Sequence, residues 1–154
     1  MRPVACDVEV PAGWTVRRPG GAVAVTASPA AWSGAVPPCF SVVETRRARL
    51  RSLDEYVTEQ VAGVARWTAA RVVRIDVAEV PVPVVDLAVA FVVAGTAVAA
   101  VQRHLLGAGG RAVVATAVGP AEAWRTSGPV LLRCVRSLRG QAGSNQSSFS
   151  PAPV

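Results

Sequence analysis

The sequence predicts an α+β domain, an antiparallel sheet of six to seven strands carrying two main helices. Three observations predict it. Val and Ala alternate with polar residues at a period of two through much of the chain, which suits a pleated, half-buried surface. The segment from Ser52 to Trp67 repeats its apolar residues at helical spacing instead. A second helical stripe, Leu131, Cys134 or Val135, and Leu138, ends the apolar part of the chain. The order read from these signals is three strands, a helix, a four-strand meander and a terminal helix.

The first strand is expected at Val4 to Val10, ending in Pro11-Ala12-Gly13-Trp14, a turn that leaves an aromatic to cover the core edge. Pro19-Gly20-Gly21 turns the chain into Ala22 to Ala27, and the Pro-, Ser- and Gly-rich stretch from Ser28 to Pro38 reads as a loop whose Trp32 covers the core. Phe40 to Thr45 is the third strand. Ser52-Leu53-Asp54-Glu55 has the form of a capping box, in which the Ser oxygen accepts from an early backbone N–H and the acids oppose the positive end of the helix. A helix over 52–67 follows, its stripe being Leu53, Val57, Val61 and Val64, flanked by Tyr56, Gln60 and Trp67.

From Arg71 the period changes to two: Val73, Ile75 and Val77 alternate with Arg74, Asp76 and Ala78. Pro81-Val82-Pro83 interrupts, because proline cannot donate to a sheet ladder. Val85, Leu87, Val89, Phe91 and Val93 then share one face, with Asp86, Ala88 and Ala90 on the other. Ala94-Gly95 turns the chain into Thr96 to Leu106, and Gly107 to Gly110 turns it into Arg111 to Val118. The last helix is expected to start near Ser127-Gly128-Pro129, proline being pre-set for a first turn, after a short helical piece at 121–125 that carries Trp124 inward. The domain runs over 1–139, and the Gly, Ser, Asn, Gln and Pro composition of 140–154 predicts a disordered tail.

Of the 154 residues 51% are apolar and 17% charged, which excludes disorder for the bulk of the chain. The net charge of +6 comes from 16 basic residues that are all Arg. They are scattered. Their densest cluster, Arg46, Arg47, Arg49 and Arg51, has no aromatic between its members, unlike a surface that tracks phosphates and stacks bases. No nucleic-acid partner is expected. Cys6, Cys39 and Cys134 are far apart with no CxxC pair, against a disulfide framework or a zinc site. The longest apolar region, 80–101, is broken by Pro81, Pro83, Asp86 and Gly95, so no membrane insertion is expected. Pro3-Val4-Ala5-Cys6 lacks the basic start and apolar run of a lipoprotein processing site, and the chain as it stands reads as cytoplasmic.

Reaction chemistry finds little to build on. His104 is the only histidine, so a triad or a histidine metal site lacks a second one. Asp54 and Glu55 serve the helix cap, Asp76 and Glu79 a solvated strand edge, and the Gly107 to Gly110 turn precedes a strand, where it cannot aim a helix N-terminus at phosphate. No enzyme activity, metal or cofactor is expected.

The order of elements, together with Val10-Pro11-Ala12-Gly13-Trp14, Leu53-Asp54-Glu55-Tyr56-Val57, Val101-Gln102-Arg103-His104, Val113 to Ala117, Pro120-Ala121-Glu122 and Val135 to Arg139, resembles the Mog1/PsbP-like superfamily, particularly its DcrB-like, LpqN-like and Eag-type chaperone branches. The resemblance spans about residues 4 to 139. It departs at Pro81-Val82-Pro83-Val84-Val85, where family members carry a glycine-containing turn and a polar strand, and it lacks the export signals of the lipoprotein branches.

The resemblance implies a curved antiparallel sheet used as a binding scaffold. Eag-type members are cytoplasmic homodimers that shield hydrophobic segments of secreted toxins. The expectation is therefore a cytoplasmic adaptor or chaperone covering an apolar segment of an effector, with a homodimer as one form. The alternative is a structural subunit or cap of a larger bacterial assembly. The partner-binding face expected is the sheet face away from the helices: Ser41, Val43, Thr45, Ala88, Ala90, Val98, Ala100, Gln102 and His104. Gln102 could offer donor and acceptor together. Two readings of this face stand side by side: that it is open, and that the C-terminal helix covers it.

Overall fold

The computed structural model describes residues 8–46, 52–79, 82–107 and 110–138. The elements are β1 (Trp14–Arg17), β2 (Val23–Pro29), β3 (Cys39–Arg46), α1 (Leu53–Val64), β4 (Arg71–Ala78), β5 (Val84–Val93), β6 (Thr96–Leu106), β7 (Arg111–Pro120) and α2 (Trp124–Ser137). All pairings are antiparallel and form one seven-stranded sheet in the order β1-β2-β3-β7-β6-β5-β4. The expected meander is β4 to β7, and β7 joins it to β3.

The hairpin between β5 and β6 sets the register of this meander. Ala94 and Gly95 both have positive φ, 47° and 79°, the mirror-image two-residue turn whose twist matches that of the strands. Val93 therefore opposes Thr96, and every odd residue of β5 opposes an even residue of β6: Val85 with His104, Leu87 with Gln102, Val89 with Ala100. Opposed residues share a face.

The helices lie on opposite faces. On one face Leu131, Cys134, Val135 and Leu138 of α2 pack against Val25, Ala27, Phe40, Val42, Leu105, Ala115 and Ala117. On the other, Tyr56 and Val64 of α1 pack with Val85, Leu87, Val89 and Ala112. Ala112 and Ala115 stand on one strand at opposite parity, so the two clusters are separated by the sheet itself.

Helix α1 starts as expected, the Ser52 hydroxyl oxygen accepting from Glu55 N–H at 3.1 Å. It stops three residues short of the expected Trp67, at Val64. Its buried side is led by Tyr56 and Val64, with Leu53 and Val57 partly buried. Ser52→Ala is expected to lower stability by about 0.5–2 kcal/mol, read in a urea unfolding curve, with Ser52→Asp holding close to the native value.

Two expected elements are corrected. The strand over Val4 to Val10 is not found where it can be checked: Val8, Glu9 and Val10 are irregular, and β1 lies beyond the turn, at Trp14–Arg17. The reason is an alternative partner. Glu9 N–H donates to Ser137 Oγ at 2.8 Å, and Val8 and Val10 pack into the α2 cluster, so this segment runs along the helix and not in the sheet.

The last helix is one continuous piece from Trp124, with Pro129 inside it. Its first turn is fastened to the sheet by Trp124 Nε1, which donates to Ala99 O at 3.0 Å and Gly119 O at 3.2 Å. Pro129 lies beyond the first turn, so the N–H it lacks takes away the bond to the carbonyl of Arg125, and the helix continues past it through the packing of Leu131, Cys134 and Val135 on the sheet. Trp32, expected to cover the core, is 42% exposed. Residues 1–7, most of the Arg46 to Arg51 cluster, Pro81 and the tail expected to be disordered lie outside the described residues.

Candidate protein-binding face

The register divides the nine expected face residues between the two sides of the sheet. Ser41, Val43 and Thr45 oppose Thr116, Val114 and Ala112, and these share the α1 side with Val98, Ala100, Gln102 and His104. Ala88 and Ala90 oppose Val101 and Ala99 and lie on the α2 side. The nine do not form one surface. The face is also not free of helices, since α1 packs over its β4–β5 part.

Within the α1 side, the residues differ in access. His104, Val98 and Ala100 are each only 2% exposed, too buried to meet a partner directly. His104 Nδ1 lies 2.6 Å from Tyr56 Oη, with the rings edge-on at 5.6 Å and 75°. Its Nε2 lies 3.3 Å from Gln102 Oε1, and Gln102 Nε2 donates to Thr116 Oγ1 at 3.3 Å. A neutral imidazole with its proton on Nε2 fits this order: Tyr56 O–H donates to Nδ1, Nε2–H donates to Gln102, and the amide donates onward. This polar chain leads from beneath α1 to the half-buried Gln102 and Thr116. Gln102 is thus held in place by the fold, with a second amide N–H and a second oxygen lone pair beyond these bonds.

The other half of this side lies over β2, β3 and β7. Here Val23, Thr26, Cys39, Ser41, Val43, Thr45, Val114, Thr116 and Val118 stand on one face, half-buried, and among the described residues neither helix lies over them. Val23, Thr26, Cys39, Val114, Thr116 and Val118 were missed in the sequence reading. The unbroken β3–β7 register places Val114, Thr116 and Val118 beside Val43, Ser41 and Cys39, and the β2–β3 pairing sets Val23 and Thr26 beside Val43 and Ser41. Cys39 has its thiol pushed up from the ordinary value by burial, which keeps it in the neutral form.

On the α2 side, Ala88 lines a cleft of about 270 Å³ with Val101, Trp124, Leu132 and Val135. Arg103 forks onto Asp86 there, Nε to Oδ1 at 2.8 Å and Nη2 to Oδ2 at 2.7 Å, and Nη1 donates to the carbonyl of Arg136 at 3.0 Å. The Asp86 hydrogen bonds hold the guanidinium further in its charged form. This fork ties α2 to the meander. Among the described residues no three His, Cys, Asp or Glu side chains gather as metal ligands, and no helix is long and apolar enough to cross a membrane.

LpqN of Mycobacterium tuberculosis, involved in cell envelope biogenesis, superposes with a TM-score of 0.68 at 9% identity over 85% of this chain and 80% of its own. PsbP of the cyanobacterium Synechocystis sp. PCC 6803 gives 0.58 at 11% over 84% and 83%. The fold is Mog1/PsbP-like. PA94 of Pseudomonas aeruginosa, a protein of unknown function, superposes with a TM-score of 0.62 at 13% identity over 84% of this chain and 99% of its own. Neither a family model nor a curated protein matches the sequence. At these identities the likeness fixes the Mog1/PsbP-like fold and no branch within it.

Proposed function

We propose that this protein is a non-enzymatic protein-binding module, working in the cytoplasm as an adaptor or chaperone that shields an apolar segment of a secreted or injected effector. The observation that carries this reading is the β2–β3–β7 half of the α1 side, which neither helix covers among the described residues and where Val23, Val43, Val114 and Val118 alternate with Thr26, Ser41 and Thr116. Small side chains let a partner backbone come close, and the valines give it apolar surface to bury. The hydroxyls and the held amide of Gln102 meet polar groups that such a segment carries. The Mog1/PsbP-like fold, shared with a protein of cell envelope biogenesis, suits a scaffold of this kind.

The test is co-expression with effectors encoded in the same genome, scoring recovery of the soluble complex. Val43→Arg is expected to reduce recovery at least about tenfold by burying a charge in the contact, with an unchanged melting temperature confirming the fold. Ala90→Arg, on the opposite side of the sheet, should leave recovery unchanged. Recovery that Val43→Arg leaves intact and Ala90→Arg abolishes would move the contact to the α2 side and refute this assignment.

A further inference from the structure

Strand β4 ends the sheet, paired with β5 on one side and with no described strand on the other. Natural edge strands are blunted by proline, shortness or unpaired charge, because free N–H and C=O groups invite another strand. This one runs for 8 residues without proline, its register shifting once, between Val72 and Arg74, and Val73, Ile75 and Val77 are 61%, 39% and 48% exposed. Its two inner charges neutralise one another in an ion pair between Arg74 Nε and Asp76 Oδ2 at 2.6 Å.

Outward from Ile75 the strand is complementary to itself. Arg74 and Asp76 flank it, Val73 and Val77 follow, Arg71 opens the strand and Glu79 lies just past its end. Laid antiparallel on a second copy with Ile75 at the centre, Arg74 faces Asp76 of the other chain and Asp76 faces its Arg74. The regular part of the strand, Arg74 to Ala78, carries this pairing, and the basic end of each strand lies toward the acidic end of the other. Arg74 and Asp76 both stand on the α2 side, opposite Ala88 and Asp86 of β5, so the crossed charges share a face. Ile75 stands on the α1 side, opposite Leu87, and would meet its own copy there. A parallel arrangement sets Arg on Arg and Asp on Asp, which is repulsive.

We infer that the free edge of β4 pairs antiparallel with β4 of a second copy about a two-fold axis at Ile75, joining the two seven-stranded sheets into one. Such a contact is isologous and closes on itself, so it yields a dimer and no filament. It uses the sheet edge and is independent of the α1-side face proposed above.

Sedimentation velocity of the full chain over a range of concentrations tests it. The wild type is expected to show a reversible monomer–dimer equilibrium. Asp76→Arg sets like charges against Arg74 of the second copy and is expected to weaken association at least about tenfold. Ile75→Lys should do the same at the axis. The double exchange R74D/D76R restores the crossed pairing and should return association to near the wild-type level, which a merely disruptive substitution would not. Melting temperatures identify any variant that fails to fold, and the double exchange and Ile75→Lys then carry the test. A chain that stays monomeric throughout, a dimer that Asp76→Arg and Ile75→Lys leave unchanged, or a folded double exchange as weak as Asp76→Arg would each overturn the inference.

Discussion

Phe40→Ala is expected to lower the free energy of unfolding by about 3–5 kcal/mol. That is a large share of the total for a domain of this size. Phe40 is fully buried near the start of β3, in the cluster that joins the sheet to α2. Its neighbours Val25, Ala27, Ala115 and Ala117 are short and belong to hydrogen-bonded strands, so they cannot lean into the space that is left. Cost at fixed chemistry depends on how well a site collapses, and this one is held open by the sheet. Urea denaturation measures it, with an unchanged m-value showing that the native fold persists. A loss below about 1 kcal/mol would mean that α2 moves inward to fill the cavity.

The second large effect is at Tyr56, which is 1% exposed and joins α1 to His104. Tyr56→Ala is expected to cost about 3–5 kcal/mol, because it deletes both the ring that fills the α1 cluster and the hydroxyl. Tyr56→Phe keeps the ring and takes away the 2.6 Å hydrogen-bond partner of the buried imidazole, at about 1–3 kcal/mol. The difference between the two variants in the same denaturation experiment separates packing from hydrogen bonding. Equal losses would show that the ring contributes nothing beyond its hydroxyl. A Phe variant as stable as wild type would show that the Tyr56–His104 bond is not a source of stability.

Much of the fold was legible in residue order because its signals are local. Ser52 and Glu55 mark the start of α1, since a cap needs only residues three apart. Leu131, Cys134, Val135 and Leu138 mark the buried side of α2, since helical spacing alone places them on one stripe. Where local signals misled, a distant partner decided. Val8 and Val10 alternate like a strand, yet they pack beside α2 and Glu9 is bonded to Ser137. Pro129 looks like a helix start, yet Trp124 reaches carbonyls on β6 and β7 and begins the helix earlier.

The candidate face was half legible. That Ser41, Val43 and Thr45 share a side follows from period two within one strand. Joining Ala88 and Ala90 to Ala100 and Gln102 required the register between strands, and there the expectation failed. The information was present in Ala94-Gly95, because a two-residue turn makes odd residues of β5 oppose even residues of β6.

The sequence alone determined that this chain is an α+β domain, where α1 begins and where the strands from β2 to β7 fall, and which side of the helices is apolar, because these depend on spacing along the backbone. Only the tertiary structure decided that the helices take opposite faces, that His104 is buried under Tyr56, that the β2–β3–β7 half of one face is uncovered by either helix, and that β4 ends the sheet. Those outcomes rest on contacts between residues far apart in the chain. Burial against a partner element, unlike periodicity, has no trace in the order of neighbouring residues.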